Sequence, residues 1–400
     1  MFMRGCLLSL LAVLTPLCAQ RADQCTAAVF SPAAGAEGRA MLWKNRDTAE
    51  LSNRVVFVKE QPFSYLGVVD KDDPSGRICW AGINSVGFAI MNTASYNLPQ
   101  PKGEATEQEG YLMAQALRSC GSVEAFELFL KANLGPSLGV STNFGVIDAQ
   151  GKAFIYEVHN HGFERFDAEA APEKFLFVTN YSRTGKKGEG GGRLRMERAE
   201  ELAKQRNPGP FGPQEIFRDF ARDTGHSLLG TPTWPAFTRF DSGKEHWLHS
   251  KHTINRWDTA CAIVLVGKDP KDPKSHAVMW VLPGEPLVSM ALPLFVDASS
   301  SPAPFWDGKE APLWTESMRL KSVIRPTFGQ PEKQEYMNAA RLDNRAGTGF
   351  LPILLKAEAD VFERTRTFLK QARTPAELAG FQGLLANQAM TALKDLPRAK

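Results

Sequence analysis

Between residues 25 and 298 the sequence is cut into apolar runs of strand length, each closed by turn residues. Runs at 55–58, 78–83, 88–92, 154–158, 175–178, 261–266 and 278–282 carry β-branched and aromatic residues and read as strands. Asp148-Ala149-Gln150-Gly151 separates 144–147 from 154–158, which predicts a hairpin. Helical patterns come in blocks: 110–120, then 123–132 behind an N-capping Ser122, then 193–205 behind the glycine-rich stretch 185–192. Strands in hairpins with helices in blocks predict an α+β layered domain and argue against a regular βαβ repeat. With 43% hydrophobic residues in 400, the chain can bury a large core without disulfide staples. Its 26 prolines are scattered and its 33 glycines lack a three-residue period, which excludes collagen-like, disordered and coiled-coil classes.

After residue 298 the character changes. The stretch 297–311 is rich in Pro, Ser and Ala and reads as a linker or surface loop; helical periodicity returns from 331, at 351–372 and 374–396. At the other end, Arg4, an apolar run at 6–17 and the small Ala19 form the pattern of a secretory leader over residues 1–20. The run is shorter than the ~20 residues a membrane span needs. Leu17 before Cys18 is too bulky for a lipoprotein signal. The expected location is therefore periplasmic or secreted, with no transmembrane helix. A net charge of +3 makes no case for nucleic acid or an anionic membrane as a partner.

Cys6 and Cys18 would leave with the leader, so Cys25, Cys79, Cys120 and Cys261 remain. Cys25 follows the cut closely and opens an apolar stretch. If the Gln24–Cys25 bond is cleaved, one residue holds both a thiol nucleophile and, in its α-amine, a base with a pKa of about 7.7–8. Without that cleavage Cys25 is a structural thiol or half of a disulfide.

Cys25-Thr26, Asn45-Arg46-Asp47, the run from Ala81-Gly82-Ile83-Asn84 to Met91-Asn92, and Phe177-Val178-Thr179-Asn180 follow in order. This series resembles the N-terminal nucleophile hydrolases of the acyl-coenzyme A:6-aminopenicillanic acid acyltransferase type, and more distantly the choloylglycine hydrolases and penicillin V acylases. The resemblance covers roughly residues 25–298. It implies a four-layer αββα sandwich for that segment and has no counterpart for the tail; the chain is thus divided into 1–24 as leader and short propeptide, 25–298 as catalytic domain and 299–400 as linker and helical extension. It also implies roles. Cys25 is the nucleophile, freed by autocatalytic cleavage after Gln24, and Asp47 orients it; the alternative for Asp47 is a turn aspartate. Asn92 and Asn180 donate to the oxyanion, with Asn84 as a rival to Asn92. Arg46 is either a contact for a substrate carboxylate or a surface charge. The implied activity is hydrolysis of the N-acyl amide bond of a small molecule through a thioester. The alternatives are acyl transfer by the same machinery, an acylase of the bile-salt or penicillin V type, and a secreted binding protein with a degenerate site.

No cofactor or metal is expected. His246, His249 and His252 recur every third residue, a spacing that does not converge ligands on a helix. The loop 185–193 lacks the Gly-Lys-Ser/Thr ending of a phosphate-binding loop and reads as a mobile loop near the site mouth. His159-Asn160-His161 reads as a strand-end turn. With Cys25 catalytic, the other three cysteines are expected as buried thiols. The sequence leaves the oligomeric state open.

Overall fold

The structure, a computed structural model, describes residues 24–396 except 74, 101, 273, 328, 331 and 332. The expected leader, with Cys6 and Cys18, lies outside the described residues. The chain opens with β1 (Gln24–Phe30) and β2 (Met41–Asp47), followed by β3 (Asn53–Val58), β4 (Tyr65–Asp70), β5 (Ala81–Asn84) and β6 (Ala89–Ala94). Helices α1 (Glu109–Ser119) and α2 (Val123–Asn133) come next, then β7 (Ser141–Ile147), β8 (Ala153–His159), β9 (Gly162–Asp167) and β10 (Phe175–Val178). Helix α3 (Arg193–Gln205) leads to the short α4 (Pro213–Glu215), which continues as a π-helical stretch, Ile216–Ala221. Strands β11 (Trp247–His249), β12 (Thr259–Val266), β13 (Val278–Pro283) and β14 (Leu292–Leu294) complete the middle of the chain. The last part holds α5 (Pro312–Ile324), β15 (Tyr336–Asn338), α6 (Ala339–Leu342), α7 (Phe350–Phe368) and α8 (Pro375–Asp395).

Strands β3 to β9 form a seven-stranded antiparallel sheet in chain order, while β10-β1-β2-β12-β13-β14 form a six-stranded one. The sheets lie face to face. A Cβ added at Gly145 would meet Val29 Cγ2 of β1 at 3.0 Å as well as the Met91 side chain, so the bare backbone of β7 here eases the close approach of β1. Helices α1 and α2 cover the far side of the seven-stranded sheet over a cluster containing Phe88, Phe126, Phe144 and Tyr156. Edge-on contacts of Phe126 with Phe144 and Tyr156, at 5.9 and 5.4 Å, each add about 0.5–1.5 kcal/mol beyond area burial. On the far side of the six-stranded sheet sit α3, the π-helical stretch, α5, α7 and α8, with Trp280 of β13 stacked on Phe362 of α7 at 4.1 Å. The architecture is thus a four-layer αββα sandwich.

Most local expectations match. The 144–147/154–158 hairpin forms, its turn closed by Asp148 Oδ1 accepting the Gln150 and Lys152 N–H groups. Ser122 caps α2 through Ala125 N–H, and His159-Asn160-His161 is the turn between β8 and β9. Thr374 caps α8 in a reciprocal box with Glu377, which fixes the start of the last helix. Two readings change. The strand expected at 78–83 starts only at Ala81, because Cys79 N–H is drawn to the Gly110 carbonyl at the head of α1 and Ile78 is 42% exposed. The stretch 297–311 is irregular as expected beyond its first turn, yet it carries Phe305 into the core beside Trp314.

Candidate active site

Side chains alternate across a strand, so consecutive residues at the start of β1 serve different chambers. Cys25 pairs with Arg46 of β2, and Gln24 with Asp47. The Cys25 face, shared with Lys44 and Arg46, looks toward the seven-stranded sheet and lines a cleft of about 630 Å³. Its walls include Asp70, Trp80, Asn92, Tyr96, Glu107 and Glu109. The opposite face, with Gln24 and Asp47, looks toward α3.

On the cleft side, Arg46 is buried, ion-paired to Asp70 at 2.8 Å, bonded to Asn53 Oδ1 at 2.7 Å, and placed 4.7 Å over the Trp80 ring. The surface-charge alternative for Arg46 is therefore overturned: a guanidinium this buried needs the carboxylate and amide that hold it. Lys44 Nζ donates to Asn92 Oδ1 at 2.8 Å and to the Trp80 carbonyl at 2.9 Å. An ammonium only donates, so this bond fixes which end of the Asn92 amide is oxygen. Asn92 Nδ2 then points away, reaching Thr142 Oγ1 at 3.5 Å. Asn84 drops out as its rival. Its Oδ1 accepts the Val86 and Phe88 N–H groups and its Nδ2 caps the carbonyls of Leu117 and Cys120, so it builds the β5–β6 turn outside the cleft.

On the other side, Asn180 follows β10 and presents its carbonyl: Oδ1 accepts the Cys25 backbone N–H at 2.8 Å. Arg195 Nη2 donates to the same oxygen at 2.8 Å, and Asn180 Nδ2 donates to the Ala94 carbonyl at 2.9 Å. Where the sequence reading made Asn180 an oxyanion donor, its Oδ1 here accepts from the nitrogen of Cys25 and its Nδ2 is spent on the Ala94 carbonyl. Arg195 also reaches the Cys25 carbonyl, Thr26 Oγ1 at 2.9 Å and Gln24 Oε1 at 3.3 Å. Arg256 bonds the same Gln24 oxygen and pairs with Asp258 at 3.1 Å.

Asp47 is sealed from solvent, accepts from Thr259 Oγ1 at 2.7 Å and lies 3.9 Å from Arg195. The turn-aspartate alternative fails, since Asp47 is the last residue of β2 and faces a buried charge cluster. Burial raises its pKa and the nearby Asp258 raises it further, against the pull of Arg256, Arg195 and the Thr259 hydroxyl. Burial likewise lowers the Arg195 guanidinium to about 10, which leaves it charged at neutral pH.

Cys79, Cys120 and Cys261 are buried free thiols, as expected. Burial pushes Cys79 and Cys261 up to about 12 and Cys120 up to about 11, so all three stay protonated and unreactive near neutral pH. Cys25 alone among the described cysteines lines the cleft. The glycine-rich loop is tied down at both ends: Gly191 bridges to Asn180, and Lys186 N–H bonds the Asn97 carbonyl. The three spaced histidines do not converge; His246 stacks on Phe240 and His249 pairs with Glu335. Among the described residues no group of His, Cys, Asp or Glu is arranged to hold a metal ion, and no helix is long and apolar enough to cross a membrane.

Sequence reasoning missed Arg195, Arg256, Thr259 and Lys44. One signal was available: Arg195 sits with Met196 and Ala199 on the buried stripe of α3, where a cation has no place unless something inside needs it.

No family model and no curated protein matches the sequence. Among solved structures, the chain is similar to a Caenorhabditis elegans ortholog of N-acylethanolamine-hydrolyzing acid amidase, at 13% identity and a TM-score of 0.40, over 62% of this chain and 94% of that one. It is similar to penicillin V acylase from Agrobacterium tumefaciens at 12% identity and a TM-score of 0.37, over 68% and 86% of the two chains. A variant of the conjugated bile acid hydrolase from Clostridium perfringens gives 12% identity and 0.37, over 64% and 89%. At these identities and scores, the reading of this chain rests on its own residues.

Proposed function

We propose that the chain is an exported amidohydrolase that cleaves its own Gln24–Cys25 bond and then uses Cys25 as an N-terminal nucleophile on a small-molecule N-acyl amide. One observation carries this reading. The nitrogen that cleavage would turn into an α-amine is already held by Asn180 Oδ1 at 2.8 Å, while the thiol of the same residue opens into a cleft sized for a small ligand.

In maturation the Cys25 thiol attacks the Gln24 carbonyl carbon and the C–N bond breaks. The proton lost by sulfur ends on the Cys25 nitrogen, and water hydrolyses the resulting thioester. Residues up to Gln24 leave with a new carboxylate. In turnover the α-amine takes the thiol proton, and the thiolate adds to the substrate carbonyl beside Asn92 Nδ2, which donates to the oxyanion. The leaving amine departs with the proton held by the α-ammonium, and water then releases the acid from the thioester. Asp47 acts from the sealed side, where its charge favours the ammonium. Hydrolysis is preferred to acyl transfer because an exported enzyme meets water in place of acyl-coenzyme A.

Intact-mass and N-terminal analysis of purified full-length chain tests the reading, together with iodoacetamide labelling and a panel of N-acyl amides. The expected results are a chain beginning at Cys25, one alkylated thiol at Cys25, impaired processing and turnover in Cys25→Ser, and no turnover in Cys25→Ala. An intact Gln24–Cys25 bond in active protein overturns it. A secreted binding protein would instead resist stoichiometric alkylation and keep its ligand affinity in Cys25→Ala.

A further inference from the structure

Strand β12 carries an irregularity where it meets the site. Thr259 pairs with Asp47 and Cys261 with the adjacent Arg46, so Ala260 is an extra residue bulged out of the β2 ladder. A bulge re-aims a side chain and leaves backbone groups without ladder partners. Here the re-aimed group is the Thr259 hydroxyl, which donates to Asp47 Oδ1 at 2.7 Å and accepts the Arg256 N–H at 2.9 Å.

Two carbonyls at the bulge accept from α5, in the C-terminal part of the chain. Trp314 Nε1 donates to the Ala260 carbonyl at 3.0 Å, and Lys321 Nζ to the Thr259 carbonyl at 3.2 Å. Seven residues apart, the two side chains share one face of the helix. Lys321 is 0% exposed and is balanced by the equally buried Glu285 at 3.0 Å, which also faces Arg325 at 3.5 Å and accepts from Asn255 Nδ2 at 2.9 Å. Buried ion clusters of this kind add little stability over apolar packing of the same volume. Their effect here is placement: they fix a cation on the backbone of the bulge.

We infer that Trp314 and Lys321 are positioning residues, through which α5 clamps the β12 bulge and keeps the Thr259 hydroxyl on Asp47. The inference rests on the reading of Cys25 as nucleophile with Asp47 at its amine side. It gives the C-terminal helices a part in the chemistry, acting from behind the sheet without touching the cleft. The groups around Asp47 are Arg195 from α3, Arg256, Asp258 and Thr259 from the segment entering β12, and Gln24 and Cys25 from β1. Glu285, Lys321 and Arg325 form the layer behind Thr259. Of these, the Thr259 hydroxyl is the contact α5 controls.

The experiment uses the full chain, allowed to mature, and measures the rate of Cys25 alkylation by iodoacetamide against pH together with the thermal midpoint. Loss of the hydroxyl in Thr259→Val removes a donor to the carboxylate, so the Asp47-linked inflection is expected to move up by roughly one pH unit. Thr259→Ser restores it. Trp314→Phe, which removes one hydrogen bond and little volume, is expected to move the inflection in the same direction by a smaller amount, as is Lys321→Met. An unshifted inflection in Trp314→Phe, with only the thermal midpoint lowered, overturns the inference and reduces α5 to packing. Trp314→Phe and Thr259→Val suffice for that outcome even if Lys321→Met fails to fold. If the wild-type chain is itself unprocessed and unreactive at Cys25, the functional reading fails; a reactive wild type with unshifted variants sinks this inference alone.

Discussion

The two faces of the N-terminal end of β1 could hardly differ more. One residue, Cys25, opens into a cleft of about 630 Å³ whose walls mix Lys44, Arg46, Asp70, Asn92 and Trp80. Its neighbour Gln24 and the paired Asp47 look into a chamber filled by Arg195, Arg256, Asp258 and Thr259. The alternation of a strand makes this division, and it separates two tasks. On the proposed reading, groups on the open face meet a substrate and groups on the sealed face act on Cys25 through its backbone. A slip of one residue in the β1–β2 register would exchange the two sets entirely. Variants on each face should therefore fail in different ways.

The largest effect is expected at Asp47. Asp47→Asn should slow processing on the order of 10³-fold, the scale of losing a group that fixes proton transfer. It should also make the protein more stable. The folded-state pKa of Asp47 is raised, so the folded chain holds that proton more tightly than the unfolded chain does. The burden of the buried charge is thus present in full above the shifted pKa and vanishes as pH falls below the unfolded value of about 3.9. Thermal midpoints of Asp47→Asn should exceed those of the wild type at pH 8 and converge with them in acid. A variant that is both less stable and normally processed would break the contrast between the faces.

Next come the cleft residues. Asn92→Ala removes the amide proposed as oxyanion donor and should cost ~10²–10³-fold in kcat/KM. The mature N-terminus at Cys25 should still form, which a mass measurement checks. Lys44→Met leaves Asn92 in place but frees its amide to turn. The expected loss is smaller, roughly tenfold, as for one hydrogen bond to a charged group. If Lys44→Met harmed processing more than turnover, Lys44 would belong with the sealed chamber in function despite facing the cleft.

How much of this was legible depended on the range of the contact. The 144–147/154–158 hairpin, the Ser122 cap and the helix at 193–205 are written in neighbouring residues and could be read directly. The pairing of β2 with β12 joins Asp47 to Thr259 across 212 positions, and no local pattern encodes it. Helix α5 was missed because its buried face carries Ser317 and Lys321 among Leu313, Trp314 and Leu320, which blurs the apolar period. Motifs in order single out Cys25, Asp47, Asn92 and Asn180, and the fold gathers these four around the head of β1, while the acceptor geometry of Asn180 is not written in its motif. The site was hidden where ordinary-looking charges converge only in three dimensions, at Arg195, Arg256 and Lys44.

The smallest effect separates the faces most cleanly. Gln24 Oε1 accepts from both Arg195 and Arg256, so two buried guanidinium groups grip the residue whose carbonyl the thiol would attack. If the Gln24–Cys25 bond is cleaved as proposed, Gln24 is then discarded. A Gln24→Ala chain therefore matures, once processed, into a protein identical to the wild type from Cys25 onward. Its maturation should be slower, by roughly tenfold if one charge-assisted contact is lost on the way to the thioester. Its specific activity, measured after intact mass shows complete processing, should equal that of the wild type. A lasting defect in turnover could arise only if residues before Cys25 remain bound, with Gln24 still held by the two arginines. The same measurement thus decides whether the sealed chamber serves maturation through Gln24 or keeps it as a permanent part of the enzyme.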